Sequence, residues 1–361
     1  MRGQKKMDRR DVLCSIAGGL AAATIGDLTR VYGAGQAGKS RLGIAQFSYN
    51  IRLRADRSKK TKERLADPLN FLEHCHEIGA GGVQTNIGVR DEGYAIRLRR
   101  KAETYDMFVE GSTSLPKERS DVEKFEAALR TARQAGAKVT RIAIGGRRYE
   151  QFSNTGQFEA FAARTFKSLQ LAEPAAARQH TRLAIENHKD WRIDQMLGML
   201  KRLGSEYVGV CVDTGNSFAL LEDPMAVVKA YAPVGFAAHL KDMAVAEYEE
   251  GFLLADVPLG QGVLDLPKMV EILRKANPEI RFSLEMATRD ALKVPCLTDK
   301  YWATFADVPG SDLARTLRYV RANASPDGLP KVNHLPLDEL VELEHDNIRQ
   351  CLAFAKKNLN L

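Results

Sequence analysis

The chain contains four short apolar segments that each end in a residue able to bind a metal ion. They are Leu-Ala-Ile-Glu at 183–186, Val-Cys-Val-Asp at 210–213, Phe-Ala-Ala-His at 236–239 and Phe-Ser-Leu-Glu at 282–285. Each segment is too short for a helix and is rich in branched or aromatic side chains, which is typical of a buried strand. Because buried carboxylates are rare unless they are paired or bound to a cation, we expect the four terminal residues to act together.

The spacing of these terminal residues favours a parallel barrel. Glu186, Asp213 and His239 are separated by roughly 25 to 30 residues each, the length of one strand and one helix in such a barrel. The longer interval before Glu285 requires an additional loop. The carboxyl ends of parallel barrel strands meet on one face, where such barrels have their active sites. The four side chains are therefore predicted to converge there.

The rest of the chain alternates predicted strands and helices and completes a count of eight strands. This alternation implies a parallel sheet with helices around it. No GxGxxG motif follows the first strand, which disfavours an open doubly wound sheet. We therefore predict an α/β fold, a (β/α)8 TIM barrel, over residues 38–325. The other predicted strands are 41–48, 82–87, 107–113 and 139–144, and the predicted helices are 68–78, 92–105, 121–134, 156–180, 193–203, 224–232 and 266–276.

Several segments depart from the regular alternation. Residues 326–361 are predicted to form a C-terminal helical extension, with one helix over 338–359 that packs outside the barrel. Segments 245–258 and 289–310 follow strands that end in a ligand-type residue, so they are expected to form long loops above the active face. Pro174 predicts a break within the helix that contains it.

Residues 1–37 are predicted to be an export signal rather than part of the barrel. Arg9 and Arg10 precede a weakly apolar run at 12–25, and small residues suited to a signal peptidase follow at 33–37. This arrangement resembles a twin-arginine export signal, which implies an exported, periplasmic protein. An ordinary N-terminal helix, and hence a cytoplasmic protein, is the alternative. No later segment is long and apolar enough to predict a membrane span.

The composition limits the classes of partner. The 361 residues are 44% hydrophobic, which permits a large core, and the formal net charge is +7. Part of the positive excess lies near the N-terminus, and the remainder forms no basic stripe interleaved with aromatic residues. Nucleic-acid binding is therefore disfavoured. The five cysteines have neither metal-finger nor CxxC spacing. The sequence leaves the oligomeric state open, and a homo-oligomer is compatible with it.

Five motifs surround the ligand-type residues. They are Ile-Glu-Asn-His at 185–188, Val-Asp-Thr-Gly-Asn at 212–216, His-Leu-Lys-Asp at 239–242, Pro-Leu-Gly-Gln-Gly at 258–262 and Ser-Leu-Glu at 283–285. In this order and spacing they resemble the xylose-isomerase-like barrel superfamily, whose sugar isomerases and epimerases bind one divalent ion. The resemblance covers roughly residues 41–321, and it depends on the set of motifs rather than on any single one.

The resemblance implies a metal-dependent isomerase or epimerase acting on a small sugar or keto-sugar. Glu186, Asp213, His239 and Glu285 would then bind one divalent ion. Hard oxygen ligands with one imidazole suit manganese first, with magnesium, cobalt and zinc as alternatives. The ion would make the C–H bond beside the substrate carbonyl more acidic and stabilise the enediolate formed by proton abstraction. By resemblance, Glu186 and Glu285 are also the catalytic base and acid.

Four further residues are candidates for substrate binding. His188 and Lys241 each lie two residues beyond a ligand-type residue, and alternate residues of an extended chain face the same way. His188 could instead have a simple loop role, and Lys241 could pair with Asp242 rather than steady an oxyanion. Asn216 stands where several sugar epimerases of the superfamily have His, which leaves the substrate geometry open. Trp191 could stack on a sugar face or pack near the start of a helix.

Two other functions are compatible with the same residues, and a third is disfavoured. A lyase or dehydratase on keto-sugars, keto-glycosides or keto-inositols would use the same ion and then expel a β-substituent. A non-catalytic sugar-binding barrel is the second alternative. DNA-repair endonucleases of the superfamily use three zinc ions and need further ligands. Here Asp213-x-x-Asn216 replaces their Asp-x-x-His, and no additional His lies near Thr85 or Ser112.

Overall fold

Eight parallel strands form a closed barrel, as predicted. The computed structural model describes residues 40–59, 64–326 and 328–361, so the predicted export signal at 1–37 lies outside the described residues. The barrel strands are β1 (Gly43–Ala45), β2 (Gly82–Thr85), β3 (Phe108–Thr113), β4 (Val139–Ile142), β5 (Arg182–Glu186), β6 (Val208–Asp213), β7 (Gly235–Leu240) and β10 (Arg281–Leu284). Three further strands form a separate sheet: β8 (Asp242–Tyr248), β9 (Gly251–Val257) and β11 (Leu292–Val294). Around the barrel the order is β1, β10, β7, β6, β5, β4, β3 and β2.

Helices connect successive barrel strands and surround them. They are α1 (Asn50–Lys59), α2 (Pro68–Glu77), α3 (Glu92–Thr104), α4 (Val122–Gln134), α5 (Arg148–Gln151), α6 (Thr155–Arg178), α7 (Ile193–Leu203), α8 (Pro224–Tyr231), α9 (Leu266–Ala276), α10 (Asp299–Trp302), α11 (Gly310–Ala322) and α12 (Leu337–Asn358). The Asp67 carboxylate caps α2, and Gly79, with a φ of +80°, follows its end. None of the described helices is both long enough and apolar enough to cross a membrane.

Small side chains lie one layer below the predicted ligands inside the barrel. Ala184, Cys211, Ala237 and Ser283 each precede a ligand-type residue by two positions, so they face the same way along their strands. All four are fully buried, and the first three form a cluster of their own. Because this layer contains no large side chain, the polar groups above it have room to converge.

The lower end of the barrel is closed by an aromatic ring. Phe108, at the start of β3, lies against the backbone of Gly43 on β1 and of Gly82 on β2. A Cβ atom at either glycine would overlap with the ring. The two glycines therefore permit a close approach that fills the barrel where its strands begin.

The segments expected to be long loops above the active face contain a small second sheet. β8 follows β7 after one residue and pairs with β9 in an antiparallel hairpin, and β11 adds a third strand. The expectation that 245–258 forms a long loop was therefore wrong, because most of this segment lies in the hairpin. Glu249 and Glu250 form the two-residue connection, and Gly251, with a φ of +151°, follows them. This connection lacks the Asn-Gly or Asp-Gly signal that most readily identifies a hairpin in a sequence.

Other differences concern the ends and continuity of elements. The first predicted strand is shorter than expected, because a 3-10 turn (Gln46–Tyr49) and then α1 follow β1. Helix α6 continues through Pro174, so the predicted break was wrong. Its buried face, which includes Leu169, Ala172, Ala175 and Ala176, packs on the barrel and offsets the hydrogen bond that proline removes. The predicted C-terminal helix is present as α12.

Candidate metal centre

The four ligand-type residues converge at the C-terminal end of four adjacent barrel strands. Glu186 ends β5, Asp213 ends β6, His239 is the penultimate residue of β7 and Glu285 follows β10. These strands are neighbours in the order β10, β7, β6 and β5, and the register aligns Asp213 with His239. All four side chains are buried, and one potential ligand atom from each lies within 4.8 Å of the others.

A hydrogen-bonded chain of two further side chains orients the His239 imidazole. Nε2 of His239 lies 2.7 Å from Oε1 of Gln84, and Nε2 of Gln84 donates to Oε2 of Glu110 at 3.0 Å. With the Gln84 oxygen directed at His239, Nε2 of the imidazole carries hydrogen and donates to it. Nδ1 is then the nitrogen that faces the carboxylates. When protonated it donates to Oε2 of Glu285 at 3.1 Å, and when deprotonated its lone pair could bind a cation. An outer partner of this kind is typical of metal-binding histidines.

The Asp213 carboxylate both caps a turn and faces the cluster. Its Oδ1 accepts hydrogen bonds from the backbone N–H groups of Gly215 and Asn216, at 2.9 and 2.8 Å. Its Oδ2 is buried and accepts no well-aligned hydrogen bond from any described residue, although the Lys241 ammonium lies 3.2 Å from it. Burial raises the pKa of Asp213 to about 6, although the nearby Lys241 opposes that shift. The turn-capping role considered from the sequence is therefore present, and one oxygen stays available to a ligand.

Glu186 is held from both sides by side-chain donors. Nε of Arg141, on β4, donates to Oε2 of Glu186 at 2.6 Å, and the terminal guanidinium nitrogen of Arg141 contacts the same oxygen. Nδ2 of Asn216 donates to Oε1 at 3.2 Å. Burial alone would raise the pKa of Glu186, but the Arg141 guanidinium outweighs it and holds the pKa below its usual value. Glu186 is therefore an ionised, oriented carboxylate.

Lys241 lies among three carboxylates rather than beside Asp242. Its Nζ is 3.1 Å from Oε2 of Glu285, 3.2 Å from Oδ2 of Asp213 and 3.8 Å from Oδ1 of Asp256 on β9. Burial alone would raise the pKa of Glu285, but Lys241 and His239 hold it well below its usual value. Lys241 thus belongs to the cluster, as the sequence suggested.

Asp242 has a structural role in the turn that precedes α9. Its Oδ2 accepts from the backbone N–H groups of Gly260 and Gly262, and its Oδ1 from Met243 and Leu264. With both oxygens in use, Asp242 forms no ion pair with Lys241 among the described contacts. The glycine motif at 258–262 therefore anchors the hairpin to the barrel.

The residues present fit a divalent cation. Three carboxylates and an imidazole nitrogen form a hard, mainly oxygen donor set, and Oδ2 of Asp213 is a buried acceptor that has the Lys241 ammonium 3.2 Å away but no well-aligned hydrogen bond in the described chain. A bound cation would satisfy that oxygen and balance part of the buried negative charge. Glu186, Asp213, His239 and Glu285 could therefore hold one metal ion.

The predicted substrate-binding residues do not all lie at the cluster. Asn216 joins Glu186 to Lys241, because its Oδ1 accepts from Nζ of Lys241 at 3.3 Å. Nδ1 of His188 is buried and has no hydrogen-bond partner in the described chain, and burial lowers the pKa of His188 to about 4, so the imidazole is neutral near pH 7. Trp191 is only 4% exposed and packs against the rings of Phe158 and Phe161.

Sequence reasoning missed several polar residues of this site. Arg141, Gln84 and Glu110 lie on strands β4, β2 and β3. These strands do not end in a ligand-type residue, so the sequence pattern predicted no site residue on them. Asp256 lies on a hairpin that was expected to be a loop. Lys189 follows His188 directly, and its buried Nζ donates to Oδ1 of Asn216. Arg141 and Glu110 could have been found from the sequence, because each is a charged residue at an inward-facing position of a predicted strand. Charged residues are rarely buried there without a partner.

The fold and the cluster together define a (β/α)8 barrel with a candidate metal centre at the C-terminal end of its strands. The model of the xylose isomerase-like TIM barrel family matches residues 72–307, and the chain belongs to this family. The family resemblance inferred from the five motifs is therefore confirmed.

Two known proteins illustrate the similarity. A 3-oxo-isoapionate decarboxylase of Pectobacterium atrosepticum is 29% identical over 114 residues, which are 31% of this chain and 42% of that relative. The match thus spans less than half of the relative's length. The structure of a D-psicose 3-epimerase in the presence of D-fructose has a TM-score of 0.55 at 14% identity, over 88% of this chain and 99% of that one. At this identity the structural likeness supports the fold alone.

Proposed function

We propose that the protein is a metal-dependent isomerase or epimerase that removes a proton beside the carbonyl of a small keto-sugar. The observation that carries the proposal is the convergence of Glu186, Asp213, His239 and Glu285, all buried, at the mouth of the barrel. Family membership supports it, because the family is named for an enzyme that isomerises a sugar. A small-molecule sugar is accordingly the proposed partner.

The four residues would hold one divalent ion, with manganese preferred and magnesium, cobalt or zinc as alternatives. When bound, such an ion supplies Lewis-acid polarisation of a substrate carbonyl. Gln84 keeps Nδ1 of His239 directed at the cluster, where it could bind the ion after losing its hydrogen. Lys241 and Arg141 keep Glu285 and Glu186 ionised, as carboxylates that can accept a proton.

We assign the two glutamates to opposite sides of the substrate. Glu186 on β5 and Glu285 after β10 stand at the two ends of the four-strand row, with Asp213 and His239 between them. A carboxylate at each end could remove a proton from one face of a carbon atom and return it to the other. Their different partners, Arg141 for Glu186 and Lys241 for Glu285, would separate the two roles.

A lyase or decarboxylase is the second candidate. The relative named as a decarboxylase favours this candidate, because that protein is similar to the chain in sequence and not only in fold. A bond cleavage beside the carbonyl would form the same kind of enolate and use the same electron sink, so it requires no change in the cluster. A non-catalytic sugar-binding barrel is the third candidate. Export through the predicted signal at 1–37 is proposed on the sequence alone.

Incubation of the manganese-loaded protein with keto-sugars in deuterated water distinguishes these candidates. The set should include D-fructose, D-psicose, 3-keto-glucosides and keto-sugar acids, followed by nuclear magnetic resonance. Deuterium at the carbon beside the carbonyl, with a new epimer or isomer, supports the leading proposal. Release of water or carbon dioxide supports the lyase, and binding without chemical change supports the sugar-binding barrel. No binding and no conversion of any member would contradict the leading proposal.

A further inference from the structure

Lys189 is a buried cation that forms no ion pair with any described residue. The residue is only 2% exposed, and its Nζ donates a hydrogen bond to Oδ1 of Asn216. No ion pair formed within the described chain includes Lys189, whereas Lys241 nearby has three carboxylates within 4 Å. An ammonium removed from water without an opposite charge is costly, so the folded protein retains Lys189 at an energetic disadvantage.

The surrounding acids cannot supply the missing charge. Asp213 and Glu285 already face Lys241, and Asp256 faces both Lys241 and Arg289. Asp190 forms no ion pair with Lys189 among the described contacts, and burial raises the pKa of Asp190 to about 8, so its carboxyl is mostly neutral at pH 7. Burial lowers the pKa of Lys189 to about 8, which still leaves it mostly protonated at neutral pH. Lys189 therefore has no ionised carboxylate of its own to pair with, and a bound divalent cation would engage Asp213 and Glu285 further.

Asn216 places this charge beside the candidate metal centre. Its amide oxygen accepts from Lys189 and from Lys241, and its amide nitrogen donates to Oε1 of Glu186. A group bound at Lys189 would thus lie one side chain away from the carboxylate that we place next to the reacting carbon. It would be part of the substrate rather than a separate ligand.

We propose that Lys189 binds a carboxylate group of the substrate, so that the enzyme acts on keto-sugar acids rather than on neutral keto-sugars. This inference rests on the proposed function. A hydroxyl group would leave the ammonium charge uncompensated, whereas a carboxylate forms a charge-assisted hydrogen bond with it. One unpaired ammonium balances one negative charge, which favours a carboxylate over a phosphate dianion.

Binding of a matched pair of ligands tests the proposal. D-Fructuronate differs from D-fructose by a carboxylate in place of the terminal hydroxymethyl group. Calorimetric titration of the manganese-loaded protein should show at least tenfold tighter binding of the acid. Lys189→Met should lose this preference and keep its affinity for the neutral sugar. Lys268→Met, which changes an exposed lysine paired with Glu271, is the matched control and should keep the preference.

A test with the carboxylate alone separates this inference from the proposed function. Acetate, compared with chloride at equal ionic strength, should raise the thermal unfolding midpoint of the wild-type protein and not that of Lys189→Met or Lys189→Gln. If acetate stabilises the wild-type protein but not the Lys189 variants, and no keto-sugar is converted, the anion subsite is supported and the proposed function is contradicted. The inference is overturned if the variants retain both the acetate effect and the preference for the acid.

One further outcome would also overturn the inference. The single charge of Lys189 could balance the oxygen of an enolate that forms only during reaction. In that case the wild-type protein would bind D-fructose and D-fructuronate equally, while Lys189→Met would lower turnover without changing either affinity. Equal binding of the two ligands by the wild-type protein therefore excludes a ground-state carboxylate at Lys189.

Discussion

Oε1 of Gln84 lies 2.7 Å from Nε2 of His239 and so determines which imidazole nitrogen faces the metal-type carboxylates. The amide nitrogen of Gln84 donates to Glu110, which directs the amide oxygen toward His239. A carbonyl oxygen only accepts, so Nε2 must donate, and Nδ1 is the nitrogen that faces the carboxylates and could bind a cation once it gives up its hydrogen. The orientation of His239 therefore depends on Gln84, which is not itself one of the four candidate metal ligands.

Gln84→Leu should weaken metal binding without removing a ligand. The variant keeps a side chain of similar size but no longer orients His239, and loss of an outer partner typically costs about 10- to 100-fold in metal affinity. Titration of the metal-free protein with manganese, followed by electron paramagnetic resonance, measures the Kd. Gln261→Leu, which changes an exposed glutamine bonded to Gln350, should leave the Kd unchanged. An unaltered Kd in Gln84→Leu would contradict the orienting role.

Glu110 should make the stability of the metal-free protein depend on pH. Burial raises the pKa of Glu110 from 4.5 to about 7. Between these values the folded protein keeps a proton that the unfolded chain has lost, so the free energy of unfolding falls as the pH rises through this window. One such proton contributes at most about 1.4 kcal/mol per pH unit.

Glu110→Gln removes that contribution, because the neutral amide does not titrate. Urea unfolding at several values from about pH 5 to pH 7 should show a smaller loss of stability in the variant than in the wild-type protein. Other buried acids with raised pKa, such as Asp190 and Glu222, stay in both proteins, so the wild-type slope should decrease rather than vanish. Identical pH dependence of the two proteins would refute the assignment to Glu110.

The candidate metal centre predicts about one bound divalent ion per chain. Asp213→Ala and His239→Ala each remove one of the four candidate ligands. Both variants should therefore lose the ion under conditions in which the wild-type protein retains it. Elemental analysis after dialysis against manganese, cobalt, magnesium or zinc measures the content. His334→Ala changes an exposed histidine and should retain the ion. A wild-type protein that takes up none of these metals would disprove the site.

Most of the barrel could be predicted from the sequence because its signals are local. Each ligand-bearing strand is a short apolar segment, and capping residues such as Asp67 mark the start of a helix. The hairpin of β8 and β9 was missed because Glu249 and Glu250 are not typical turn residues. Pro174 misled the prediction of α6, since tertiary packing outweighed a local preference.

The site was predictable only where its residues end strands. Glu186, Asp213, His239 and Glu285 share that position, and their spacing indicates a common face. Residues that support them, such as Gln84 and Arg141, lie elsewhere in the chain and become neighbours only when the barrel closes. Asp242 shows the limit of adjacency in sequence, because its pairing with Lys241 was one of two alternatives, and its carboxylate instead holds the backbone of a distant turn.

Glu344 should stabilise the attachment of the C-terminal helix. Its buried carboxylate on α12 accepts hydrogen bonds from the backbone N–H groups of Ile51 and Arg52 in the first turn of α1, at 2.8 and 2.9 Å. Glu344→Ala leaves both donors without this acceptor and should lower the free energy of unfolding by about 1–3 kcal/mol. Glu344→Gln should cost less, because its amide oxygen still accepts one bond. Urea unfolding measures both, with Glu342→Ala on the exposed face of α12 as the control.

Glu186→Gln and Glu285→Gln should lower the rate of the chemical step while the protein stays folded and binds metal. Each change keeps the size of the side chain and one ligand oxygen, but the neutral amide cannot accept a proton from carbon. Loss of a general base typically costs about 10² to 10⁴ in rate, and weakened metal binding would add to that loss. Glu271→Gln, on the surface next to Lys268, should keep full activity.

The measurement that isolates the proton transfer is exchange at the carbon beside the substrate carbonyl. In deuterated water the wild-type protein should introduce deuterium at that carbon. The variant that lacks the glutamate that removes the proton should exchange more slowly by the same factor as turnover, whereas the variant that lacks the other glutamate should lose turnover more than exchange. A lyase that expels its leaving group faster than the carbon is reprotonated should show little exchange of remaining substrate, although both variants would still lose turnover. Metal-loaded Glu186→Gln and Glu285→Gln proteins with full activity would rule out carboxylate catalysis. Whichever substrate the enzyme uses, proton removal would then have to be assigned to another group at the cluster.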